Sequence, residues 1–91
     1  MKRLNLPGFL DKLVEEYCNW QKSRVKRAKT KRAYEKAYDV ILDNGMDLEL
    51  IRHDPNPKFL TNNEVKKGVA NHVVSDIDYW AEMIKRARNT E

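Results

Sequence analysis

Between Gly8 and Asp43 the chain contains no residue that must break a helix, and Asn44-Gly45 supplies the left-handed position at which helices commonly end. A continuous helix over this stretch, about 36 residues at ~1.5 Å each, would run ~54 Å, whereas a compact unit built from 91 residues is only ~30 Å across. The chain therefore faces two choices. It breaks the helix near residues 23–30, or it lets the helix project and pair with a second copy.

The apolar pattern is interrupted in the same place. Phe9, Leu10, Leu13, Val14, Tyr17 and Trp20 or Gln21 recur at three- and four-residue spacing, which defines one face of an amphipathic helix. Tyr34, Ala37, Tyr38 and Ile41 form a second stripe rotated by roughly 100° from the first. Arg24, Arg27 and Lys31 occupy the meridian along which the first stripe would have continued. Ahead of these stripes, Pro7 suits a first helical turn, and Asp11, Glu15 and Glu16 complement the positive end of the helix dipole.

Residues 44–61 read as a connector. Leu48, Leu50 and Ile51 can form a short helix or strand, and Pro55 and Pro57 exclude regular structure just after them. Thr61-Asn62-Asn63-Glu64 has the form of a capping box, with Leu60 placed for a hydrophobic staple, and predicts a helix start at 61 or 62. Val65, Val69, Val73, Ile77, Trp80, Ile84 and Ala87 then form a stripe that carries this helix to about residue 88, with Ser75-Asp76 as the alternative break near 75. Lys85, Arg86 and Arg88 suit its last turn.

The expected fold is all-α and confined to one domain. It is a small helical hairpin or bundle with helices at about 8–43 and 62–88, completed by dimerisation. Its expected core is Leu10, Leu13, Val14, Tyr17, Tyr38, Ile41, Val69, Val73, Ile77, Trp80 and Ile84. Dimerisation is expected because a chain this short buries only ~60–65% of its unfolded surface.

No run approaches the ~18 apolar residues of a membrane span, and no long apolar stretch follows Met1-Lys2-Arg3. A cytoplasmic protein without a membrane partner is expected. The single Cys18 excludes an intrachain disulfide and, with two histidines, cannot supply the usual four-ligand zinc site, so no metal or cofactor is expected. His53-Asp54 is the only adjacent acid and imidazole pair. No nucleophile is spaced to use it, so no enzymatic role is expected. Gly8, Gly45 and Gly68 stand alone and form no phosphate-binding loop. A helix-turn-helix over 65–84 is disfavoured, because Asp76, Asp78 and Glu82 would turn negative charge toward phosphates.

Charge placement carries the functional expectation. Lys22, Arg24, Lys26, Arg27, Lys29, Lys31 and Arg32 fall in an 11-residue segment with no acid, whereas the remainder has 11 basic and 14 acidic residues. The excess positive charge is local, which points to a polyanionic or acidic partner. Seven cations on one helical segment, flanked by Trp20 and Tyr34 as stacking aromatics, predict nucleic-acid contact through the backbone more than through base edges. The competing expectation is a protein-interaction module, an inhibitor or adaptor that docks on an acidic partner surface.

Overall fold

The computed structural model describes residue 6 and residues 8–89, with the side chains of Arg88 and Asn89 excepted. The expected role of Pro7 and the contribution of Arg88 to the last turn lie outside what is described. The protein is all-α: the described residues form six helices and no strand. These are α1 (Leu10–Ser23), α2 (Ala28–Asp43), α3 (Leu48–His53), α4 (Lys58–Thr61), α5 (Lys67–Ser75) and α6 (Ile77–Asn89).

The continuous 8–43 helix is not formed; the break near 23–30 is. The described residues extend 39 × 30 × 19 Å, too short for the unbroken alternative. Backbone geometry shows how the break is made. The amides of Arg24 and Val25 donate to the carbonyls of Gln21 and Lys22 in tight three-residue steps, the Ser23 hydroxyl donates to the Trp20 carbonyl at 2.6 Å, and Arg27 is extended. Val25 turns inward against the core and α2 packs alongside α1, so both rotated apolar stripes reach one interior.

The helix predicted from 61 or 62 is also corrected. Thr61 ends α4 rather than capping a new helix, and α5 begins at Lys67. The Val65 amide donates to the Leu60 carbonyl and the Glu64 amide to the Thr61 carbonyl, which is a Schellman termination, with Glu64 left-handed at φ 68°. The same pair of bonds closes α2, from Met46 to Ile41 and from Gly45 to Leu42, with Gly45 at φ 66°. The alternative break near 75 is realised as well: Asp76 alone separates α5 from α6.

The connector contains α3, whose first turn is capped by the Asp47 carboxylate accepting from the Leu50 amide at 3.0 Å, and the one-turn α4. Both helices feed the core through Leu48, Ile51 and Leu60. Of the expected core residues, Leu13, Val14, Tyr17, Ile41, Val69, Val73, Ile77 and Trp80 are buried, while Tyr38 and Ile84 are half-buried against them. Leu10 is the exception, at 59% exposed in the first turn of α1.

Candidate nucleic-acid interface

The segment 22–32 is not one helical face. Lys22 belongs to α1, Arg24, Lys26 and Arg27 to the connection, and Lys29, Lys31 and Arg32 to α2. Folding divides the cations by role. Lys22 turns inward and pairs with Glu35 across the α1–α2 contact at 3.0 Å. Lys31 is half-buried and donates to the Lys22 carbonyl at 2.9 Å, satisfying an acceptor at the end of α1. Arg24 pairs with Asp76 at 3.1 Å and lies 4.5 Å from the centre of the Trp20 ring. These three cations hold the fold together.

The expected stacking platform is corrected too. Tyr34 is only 3% exposed and cannot meet a base. Trp20 is half-buried, with Arg24 over its ring, Tyr17 stacked at 6.0 Å and Tyr79 edge-on at 5.9 Å. Its contact surface is already used within the chain.

Lys26, Arg27, Lys29 and Arg32 remain, all exposed and all without an ion pair among the described residues. Arg27 and Lys29 line a shallow groove of about 320 Å³ together with Thr30, Ala33, Lys66, Gly68 and Val69, and no acid lines it. The groove lies between the beginnings of α2 and α5. Arg27 and Lys66 stand immediately before these two helices, neither helix has a side-chain cap, and neither has an acid in its first turn. Cations beside the positive end of a helix dipole are mutually unfavourable, and an anion in the groove relieves both. Lys66 was missed in the sequence because a helix beginning at 62 would have carried it away from Arg27; the Lys66-Lys67 pair just ahead of Gly68 was the available signal.

At the other end of α5, Asp76 ties the basic connection to the α5–α6 junction. Its Oδ2 accepts from Arg24 at 3.1 Å and Gln21 Nε2 at 3.4 Å and lies 3.0 Å from His72 Nδ1. Partial burial pushes the Asp76 carboxyl up, but hydrogen bonds from His72, Gln21 and Arg24 outweigh it and hold the carboxyl below its ordinary value. The neighbouring Tyr17 hydroxyl donates to the Val73 carbonyl at 2.7 Å, and burial drives its pKa upward.

His53 and Asp54 lie exposed at the end of α3. No group of three or more His, Cys, Asp or Glu among the described residues has the arrangement of a metal site. Nor is any helix among them long and apolar enough to cross a membrane. No protein-family model, curated protein or solved structure matches the chain.

Proposed function

We propose that the chain is a non-enzymatic accessory or regulatory protein that binds nucleic acid by its phosphate backbone, using Lys26, Arg27, Lys29 and Arg32 with Lys66 and Lys67. The observation that carries this reading is the acid-free groove in which Arg27 and Lys29 meet Lys66 between two uncapped helix beginnings. Exposed, unpaired cations are free to exchange their counterions for phosphates, and that release is the main source of sequence-independent affinity. The internal engagement of Trp20 and Tyr34 favours backbone contact over base stacking.

The test is binding to labelled duplex DNA, single-stranded DNA and RNA across a salt series, with a variant carrying Gln at Arg27, Lys29 and Lys66. Saturable binding that weakens with salt and is lost in the variant supports the reading. No binding near 50 mM salt, where electrostatic contacts are strong, sinks it and directs the search to an acidic protein surface.

A further inference from the structure

The outer face of α6 carries a different pattern. Tyr79 and Met83, one turn apart and so stacked along the helix, are 59% and 39% exposed. They line a shallow groove with Asp78, Glu82 and Arg86. Asp78 opens this face, Arg86 closes it and Glu82 lies midway, so the two ends, though not the middle, complement each other when the face is turned end for end. We propose that α6 pairs antiparallel with α6 of a second copy of this chain about a two-fold axis near Ala81 and Glu82. Tyr79 then packs on Met83 of the second copy, and Arg86 approaches Asp78 of the second copy, each contact occurring twice.

The chemistry favours this occupant. Asp78 and Glu82 repel phosphates, which excludes nucleic acid. The basic groove of another molecule offers cations but only Ala33 and Val69 as apolar residues against Tyr79 and Met83. Asp78 already holds Arg52 at 2.5 Å, yet its side chain is 68% exposed and can accept a second cation. Arg86 has no ion pair among the described residues and is free to supply one.

The size of the contact sets its strength. Thirteen residues make a helix about 20 Å long. Pairing two of them buries on the order of 600–800 Å² in all, below the ~1,200 Å² of stable complexes, so the dimer is weak and reversible. This inference does not depend on the nucleic-acid reading.

Sedimentation from about 10 µM to about 1 mM tests it over the concentrations at which a weak contact is populated. The full chain is expected to show a monomer–dimer equilibrium, weakened at least about tenfold by Met83→Asp and by Arg86→Glu. Both positions are exposed, and circular dichroism verifies that each variant keeps its helices. Leu50→Asp, an exposed change two residues from Arg52 and so on the opposite side of α3, is expected to associate like the unaltered chain. A strict monomer at every concentration overturns the proposal. So does a dimer indifferent to Met83→Asp and Arg86→Glu, or one lost equally in Leu50→Asp.

Discussion

Arg24 reaches across 52 positions of sequence to Asp76, placing Nη1 3.1 Å from Oδ2 and joining the α1–α2 connection to the single residue between α5 and α6. Gln21 and His72 converge on the same oxygen. Asp76→Ala would strand these donors at a partly buried position and is expected to destabilise the protein by about 1–3 kcal/mol at neutral pH, read from urea unfolding. The pH dependence follows from the depressed carboxyl. Its contribution is complete above the unfolded value of about 3.9 and is lost as pH falls through the lower native value. The gap between the original protein and the variant should therefore be widest near neutrality and shrink below about pH 4.

Tyr17 caps the end of α5 from a different helix. Its hydroxyl donates to Val73, at 2.7 Å, where the last carbonyls of α5 lack partners within the helix. Tyr17→Phe keeps the packing against Trp80 but leaves a buried acceptor unmet and removes an acceptor for Gln21 Nε2. A loss of about 1–3 kcal/mol is expected, without loss of helix content by circular dichroism.

Glu64 marks where sequence reasoning failed. Gly45 announced the end of α2 because glycine adopts the left-handed conformation without penalty. Glu64 makes the same termination of α4 against its intrinsic preference, so Thr61-Asn62-Asn63-Glu64 read as a helix beginning instead of an end. Glu64→Gly is expected to stabilise the protein by about 0.5–1 kcal/mol, because the strain relieved exceeds the added chain entropy. The ion pair with Lys36 contributes little against this, since the Glu64 side chain is 87% exposed. Thermal unfolding of the two proteins decides the sign.

Much else was legible. Heptad-like spacing identified most of the core, because residues such as Tyr17, Ile41, Val73 and Ile77 must face inward in any helical packing. The length mismatch between a 54 Å helix, an estimate from ~1.5 Å per residue, and a small fold signalled the break near Arg24. The separation of cations by role was not legible. Lys22, Arg24 and Lys31 acquire their partners only after distant or cross-helix segments meet, while Lys26, Arg27, Lys29 and Arg32 do not.

Cys18 should behave as a core residue. It is 3% exposed, and burial pushes its thiol up to about 12. Folding keeps the thiol protonated, so its contribution is full below the unfolded value near 8.5 and is lost as pH rises through that value toward the native one. The native protein is expected to react with a thiol reagent at neutral pH at least about 100-fold more slowly than the denatured chain, because only opened molecules expose it. Equal rates would mean that α2, packed against α1, does not cover Cys18.

The division of the cations separates effects on stability from effects on binding. Arg27, Lys29 and Lys66 are exposed and line one groove, so replacing each by Gln should leave stability within about 0.5 kcal/mol while weakening nucleic-acid binding. Each lost phosphate contact should flatten the dependence of log affinity on log salt by about 0.9 for duplex DNA. Arg24→Gln should do the reverse. It breaks the pair with Asp76 and uncovers Trp20, so it lowers the unfolding midpoint while changing the salt slope little. If Arg24→Gln flattens the slope as much as Lys29→Gln does, the guanidinium leaves Asp76 for phosphate on binding. The separation between fold-holding and ligand-binding cations then fails.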